Sequence, residues 1–255
     1  MNTFNFGIIL YPSTRSLAYL HILNKNKIIP KEVIVLGKWP FLSKNILDEA
    51  NRHDYTNKYF SINDDLGWLT KYSDIDISSI DNMDINSQEL QNILKKSTCK
   101  KFIFTGGGIL REKILSLDIK FIHVHPGDIK HYRGSTCFYY SYLKDKTISC
   151  TTFIMKKELD KGEILDIKSI GQNIFIQNDQ SIFVDYIYDP FIRSLALEKV
   201  LPFLIQDAEI KSTTIDNFYG EDHHVIHQSL RYLFIKRLNK TYQSNKKESI
   251  FIING

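Results

Sequence analysis

The stretch FIHVHPGDIKHYRGST, residues 121–136, places two histidines at the end of an apolar run. Side chains alternate between the two faces of a strand, so His123 and His125 should project from the same face, about 7 Å apart. A Pro-Gly dipeptide then stops the strand, and a basic, glycine-containing segment follows. We therefore predict a strand at 120–125 whose end carries paired imidazoles on a polar face.

Strand and helix patterns alternate on both sides of this stretch. We predict strands at 6–10, 32–37, 75–80, 101–105, 148–155 and 163–169. We predict helices at 13–26, 87–96, 109–117 and 136–143. Parallel neighbouring strands need a crossover connection, which a helix supplies. The sequence therefore predicts an α/β domain over residues 1–170, with a Rossmann-like, mostly parallel sheet flanked by helices.

The pattern changes after residue 170. Apolar residues recur at helical spacing over 181–188, 190–200 and 223–238. Asp189-Pro190 is typical of an N-cap followed by a first helical residue, which predicts two separate helices there and not a single long one. We therefore predict a mainly helical C-terminal extension, residues 171–255, packed on the sheet domain.

The composition narrows the class of protein. A hydrophobic fraction of 43% and a net charge of +4 are those of a globular protein and do not predict nucleic-acid binding. Three cysteines without a CxxC spacing favour neither a disulfide framework nor a structural zinc site. No apolar run is long enough for a signal peptide or a membrane span. We expect a cytoplasmic protein with a small-molecule substrate, no nucleic-acid or membrane partner, and the capacity to form a homodimer.

Three motifs should line one crevice. They are the triplet Gly106-Gly107-Gly108, the H-x-H-P segment, and LDKG at residues 159–162. In open α/β sheets, ligands bind outside the carboxyl ends of the strands, where the first two motifs fall. The glycine triplet lacks the spacing of a nucleotide fingerprint, so it is either a tight turn or a loop whose bare amides face a planar ligand. His125 is either a core histidine or, as we predict, a catalytic one.

The same residues also allow a metal site. His123, His125 and Asp160 are possible ligands, but no fourth ligand has a convincing spacing, so we predict no metal. A metal-dependent hydrolase that uses these three residues is the alternative interpretation. His223 and His227 are spaced to share a metal on a helix, although a surface or packing role is the better interpretation for them and for His224.

The order of these motifs resembles that of the formyltransferase family, whose members move a formyl group from a reduced folate to an amine. The family pattern is a strand, Asn-x-His-Pro, a loop that often holds Arg-Gly, a helix, a strand and Leu-Asp-x-Gly. HVHP, HYRGST and LDKGEIL follow that order here within residues 101–169. The family's Asn is His123 in this chain.

The resemblance implies direct acyl transfer from 10-formyltetrahydrofolate. It implies that His125 stabilises the oxyanion and passes a proton to the departing folate nitrogen, and that Asp160 favours the protonated imidazole. It also implies that His123 donates an N–H to the formyl oxygen, and that His123→Asn would preserve or raise activity. The implied folate-binding residues are Gly106, Gly107, Gly108, Ile109 and Leu110. The implied residues around the amine are Tyr132, Arg133 and Ser135.

The amine follows from the resemblance by elimination. Residues 171–255 lack the alternating strands of the β-barrel that the initiator-tRNA transferase carries. The resemblance therefore implies a nucleotide-linked amino sugar, formylated for a surface glycan. A catalytically silent relative that binds folate, with His123 in place of Asn, is the remaining alternative.

Overall fold

The computed structural model describes residues 3–39, 48, 59–61, 66–157, 162–171, 174–176, 181–206, 213–214 and 220–253. The strands are Phe4–Leu10 (β1), Pro30–Leu36 (β2), Asp76–Ile80 (β3), Lys101–Phe104 (β4), Lys120–His125 (β5), Tyr132–Gly134 (β6), Ile148–Met155 (β7), Gly162–Ile170 (β8), Thr213–Thr214 (β9) and Glu221–His223 (β10). The helices are Thr14–Lys25 (α1), Gln88–Lys96 (α2), Glu112–Leu115 (α3), Cys137–Asp145 (α4), Ser181–Phe183 (α5), Asp189–Ile205 (α6) and Gln228–Ile253 (α7), with a π-helical turn at Val184–Tyr188 and a 3-10 turn at Leu66–Trp68.

One sheet of eight strands, in the order β3-β2-β1-β4-β5-β7-β8-β9, organises the chain. Strands β1 to β5 pair in parallel, whereas β7 is antiparallel to both β5 and β8, and β9 is antiparallel to β8. Strands β6 and β10 form a separate parallel pair. The predicted α/β fold with a mostly parallel sheet and C-terminal helices is confirmed.

Both faces of the sheet are covered by apolar side chains. Ile8 and Leu10 of β1 pack into a large core on the face of α1, α6 and α7, while the intervening Ile9 packs into a second core with α2. Burial on both faces explains why the central strands read as continuous apolar runs. The helices of the C-terminal part belong to the larger of these two cores, to which α6 contributes Ile192 and Leu197.

Side-chain hydrogen bonds lie at the start of α2 and just before α3. The Ser87 hydroxyl accepts a hydrogen bond from Leu90 N at 3.2 Å, so Ser87 is the N-cap of α2. Helix α3 is shorter than the predicted 109–117. Asn86 donates to Ile109 O at 3.0 Å and accepts from Arg111 N at 2.6 Å, and these bonds keep residues 109–111 outside the helix.

Two expectations for the C-terminal part are wrong. Asp189-Pro190 does not separate two helices, because Tyr188 and Asp189 have helical backbone angles and α5, the π-helical turn and α6 are continuous. The wide turn accommodates Pro190, which has no N–H to donate. The helix predicted at 223–238 begins only at Gln228, since β10 pairs with β6.

We expect Gly134→Ala to lower the free energy of unfolding by about 2 kcal/mol, the usual cost of a strained backbone position. Gly134 in β6 has a φ of +90°, and a Cβ there would lie 2.2 Å from the carbonyl oxygen of His223. Urea denaturation measures the loss. Gly171→Ala is the control, because no atom lies within 4 Å of its Cβ position. Equal denaturation midpoints for the two variants would show that the β6–β10 pair tolerates the side chain.

None of the helices in the described part of the chain is long and apolar enough to cross a membrane.

Candidate active site

A cavity of about 460 Å³ lies at the carboxyl ends of β4 and β5, the edge at which open α/β sheets bind ligands. Its wall combines two histidines, three arginines, two aspartates, two segments with glycine and a few apolar side chains. The lining residues are Arg15, Gly107, Gly108, Ile109, His123, His125, Pro126, Gly134, Ser135, Thr136, Phe138, Asp185, Asp189, Arg193, Val225 and Arg231.

The structure brings together six of the residues that the sequence singles out. His123, His125, Gly107, Gly108, Ile109 and Ser135 all line this cavity. Asp160 falls in residues 158–161, which lie outside the described residues, so its catalytic role stays a prediction.

Four other predicted site residues are not among those that line the cavity. The carbonyl oxygen of Gly106 accepts a hydrogen bond from Arg15, and Leu110 is buried in the core with α2. The hydroxyl of Tyr132 bonds to Asp145. Arg133 Nε lies 3.2 Å from Asp222 Oδ1, in an ion pair between β6 and β10.

His125 ends β5 and is held by the loop that follows it. Its side chain is 2% exposed, and its Nε2 lies 2.8 Å from the carbonyl oxygen of Tyr132. Because a carbonyl oxygen can only accept, Nε2 carries a proton. The backbone of β6 therefore fixes both the orientation and the tautomer of this imidazole.

His123 is held by a hydrogen bond from Nδ1, whereas His125 is held by one from Nε2. Its Nδ1 lies 3.0 Å from the carbonyl oxygen of Phe104 and must donate to it. The ring centroid lies 5.9 Å from that of Phe104 and 6.0 Å from that of Phe153. Burial, assisted by the charges of Arg15 and Arg193, holds the pKa of His123 well below its usual 6.5. The ring is therefore neutral at pH 7, with its second nitrogen unprotonated.

A buried ion pair holds the strand between the two histidines. Arg193 Nε donates to Asp189 Oδ1 at 2.9 Å and to Oδ2 at 3.0 Å, and Nη1 donates to Val124 O at 2.8 Å. Arg193 is 7% exposed and Asp189 6%. Since Val124 separates His123 from His125, α6 fixes the strand end that presents both imidazoles.

Arg15 holds the neighbouring strand end in the same way. Its Nη1 donates to Thr105 O at 3.2 Å and to Gly106 O at 3.0 Å. Burial and, next to it, the charge of Arg193 lower the pKa of Arg15 to about 10, so its guanidinium is charged at neutral pH. Among the described residues, no carboxylate forms an ion pair with it. The cavity therefore contains one cation whose charge the described part of the chain does not pair.

The far wall joins α4, the π-helical turn and α7. The Tyr139 hydroxyl donates to Asp185 Oδ1 at 2.7 Å, and the Arg231 guanidinium pairs with the same carboxylate. Arg231 also lies over the Tyr139 ring, 5.4 Å from its centroid. Burial raises the pKa of Asp185, although the Tyr139 hydrogen bond and Arg231 act in the opposite direction. These contacts make the C-terminal helix part of the cavity.

The five charged lining residues other than histidine were not predicted from the sequence. They are Arg15, Asp185, Asp189, Arg193 and Arg231. One signal was present: Asp189 and Arg193 are spaced i, i+4 in a helix that is otherwise mostly apolar, which is typical of a buried ion pair. Within the described ranges, no three His, Cys, Asp or Glu side chains are grouped as a metal site would require.

No sequence family and no curated protein matches the chain, whereas several solved structures share its fold. A sugar N-formyltransferase from a Shewanella species superposes with a TM-score of 0.54 and 14% identity, over 90% of this chain and 87% of that one. A 4-N formyltransferase from Francisella tularensis gives 0.52 and 11%, over 91% and 87%. HypX from Aquifex aeolicus, in complex with tetrahydrofolic acid, gives 0.51 and 12%, over 90% of this chain and 31% of that longer one. The similarity is one of fold.

Proposed function

Because this chain has the formyltransferase fold, we propose that it is an N-formyltransferase that moves a formyl group from 10-formyltetrahydrofolate to a primary amine. The observation that carries the proposal is the buried His125 at the carboxyl end of β5, beside a cavity that Gly107 and Gly108 also line. A buried imidazole in such a cleft is a typical general acid or base.

The segment 106–110 fits a planar ligand. Apart from Gly107 and its two chain neighbours, no atom of the described residues lies within 4 Å of the Cβ position of Gly107, so the backbone of the loop is open to a flat ring system. Ile109 is 55% exposed at the cavity and offers an apolar surface for that ring. Leu110 lies behind the loop in the core and supports it. We propose that Gly107, Gly108 and Ile109 contact the folate, and that Gly106 and Leu110, which do not line the cavity, hold the loop in place.

The reaction needs opposite charges to be stabilised at two atoms. As the amine nitrogen attacks the formyl carbon, negative charge develops on the formyl oxygen and positive charge on the nitrogen. His125 in its protonated form stabilises the oxygen and supplies the proton that the departing nitrogen takes. In the proposal Asp160 favours this protonated form. The carbonyl oxygen of Tyr132 keeps the imidazole aligned throughout.

The charge of Arg15, with which no carboxylate of the described residues forms an ion pair, supports an acceptor that carries an anionic group. A guanidinium binds phosphate and carboxylate oxygens through paired hydrogen bonds. We therefore propose a nucleotide-linked amino sugar of surface-glycan synthesis, with its amine near Ser135 and its phosphate towards Arg15. Two of the solved structures with the same fold are a sugar N-formyltransferase and a 4-N formyltransferase. A cytoplasmic location is part of the proposal, and three free, buried cysteines agree with it.

A screen of amine acceptors tests the function. The purified protein is incubated with 10-formyltetrahydrofolate and nucleotide-linked amino sugars, free amino sugars, amino acids or hydroxylamine, and release of tetrahydrofolate is followed. We expect turnover with at least one amine, fastest with a nucleotide-linked sugar. Reactions without enzyme measure the spontaneous rate. Release at the spontaneous rate with every amine would overturn the proposed activity.

We expect Arg15→Gln to lower kcat/KM for a nucleotide-linked acceptor by about 10- to 100-fold, the value of a charge-assisted hydrogen bond. The loss should appear mainly in KM, because the guanidinium binds a part of the acceptor that does not react. Hydroxylamine carries no anionic group, so its kcat/KM should fall less, by the part of the loss that comes from the hydrogen bonds of Arg15 to Thr105 O and Gly106 O. Arg111→Gln, which alters an exposed arginine near the glycine loop, is the matched control. Equal losses with both acceptors would show that Arg15 does not bind an anion.

A further inference from the structure

The two histidines at the end of β5 are held by different nitrogens. His125 donates from Nε2 to Tyr132 O, while His123 donates from Nδ1 to Phe104 O. In the neutral ring of His123, the remaining nitrogen, Nε2, has a lone pair and no hydrogen. No described residue forms a hydrogen bond to that atom, and His123 lines the cavity. A ligand therefore meets an acceptor at this position.

This geometry is incompatible with donation by His123 to the formyl oxygen. The only N–H of the neutral ring is committed to Phe104 O at 3.0 Å. The amine that attacks the formyl carbon has N–H groups to donate and must direct its own lone pair at the carbon. We infer that Nε2 of His123 accepts a hydrogen bond from the attacking amine and orients its lone pair, an inference that rests on the proposed formyl transfer.

The charges around His123 suit that role. Arg15 and Arg193 act on the ring as cations and disfavour its protonation. The same cations disfavour an ammonium bound beside the ring and so favour the neutral amine. Only the neutral amine has the lone pair that attack requires. The environment therefore selects the reactive form of the acceptor as well as its orientation.

The direction of the lone pair is set before a substrate binds. Phe153 of β7 pairs with His123 across the sheet and packs edge-on against its ring, and Phe104 packs on the other side. With the Nδ1 hydrogen bond, these contacts leave the imidazole little freedom. A fixed acceptor orients a nucleophile without loss of entropy at the moment of reaction.

Two substitutions separate an acceptor at Nε2 from a donor. The amide of Gln reaches the position of Nε2, whereas that of Asn reaches only the position of Nδ1. With hydroxylamine and 10-formyltetrahydrofolate, we expect His123→Gln to turn over about 10²-fold faster than His123→Asn, since a misplaced contact costs a factor of that size. Turnover of His123→Asn equal to or above that of His123→Gln would overturn the inference and support the role that the family's Asn implies.

Nitrogen NMR of the imidazole rings gives a second measurement that needs no turnover. In the resting enzyme we expect a protonated Nδ1 and an unprotonated Nε2 for His123, and a shift of the Nε2 resonance when hydroxylamine is added. A proton on Nε2 would overturn the inference even if formyl transfer occurs. The expected spectrum without transfer to any amine would instead overturn the proposed function, and the role of His123 with it.

Discussion

We expect His125→Ala to lower the turnover of the proposed formyl transfer by about 10²-fold or more, the usual contribution of a general acid or base. The loss comes from the missing imidazole. His125 lines the cavity, and its imidazole is bonded to the Tyr132 carbonyl. Steady-state release of tetrahydrofolate measures the change. Circular dichroism checks that the variant is folded.

His131→Ala is the matched control for this substitution. His131 follows in the same loop, and its side chain is exposed. We expect the control to keep the turnover of the unmodified protein. If His125→Ala also kept it, His125 would have no part in the chemistry, and the proposed mechanism would lose its acid.

Arg193→Met is expected to lower the free energy of unfolding by about 3–5 kcal/mol, because it leaves a buried carboxylate without its partner. Asp189 receives two hydrogen bonds from Arg193 and is 6% exposed. The variant should also lose turnover, since Val124 O loses its donor between the two histidines. Chemical denaturation gives the energy, and release of tetrahydrofolate gives the activity.

Two controls define the cause of that destabilisation. The double variant Arg193→Met, Asp189→Leu removes both charges and should recover most of the stability, as apolar replacements of buried pairs do. Lys25→Met breaks the pair with Glu198, in which the lysine side chain is 58% exposed, and should cost less than about 1 kcal/mol. Similar losses for Arg193→Met and Lys25→Met would contradict the account of a buried pair.

The sequence predicted the sheet well because its signals are local. The strands β1, β2, β5 and β7 each contain several apolar residues close together in the sequence, and α2 begins at a recognisable cap. The pair β6–β10 was missed for a physical reason. Residues about ninety positions apart pair there, and neither strand has an apolar pattern that would mark it.

The site was predictable only where its residues follow the strands that carry them. The paired histidines lie at the end of β5 and the glycine loop follows β4, so their order in the sequence revealed them. The arginines come from other elements: Arg15 bonds to a residue 90 positions away and Arg193 to one 69 positions away. The donor roles of His123 and His125 depend on backbone carbonyls that only the folded chain brings near.

Because Arg193 bonds to Val124 O of β5, the candidate site depends on a residue that is synthesised well after the strand it holds. A nascent chain that ends at residue 170 already contains every motif from HVHP to LDKG. It lacks Arg193, whose guanidinium bonds to Val124 O between the two histidines. It also lacks the other side chains that the C-terminal part contributes to the cavity wall. If the chain has the proposed activity, translation must therefore proceed beyond α6 before the site is complete, and a fragment trimmed to those motifs would carry the pattern without the activity.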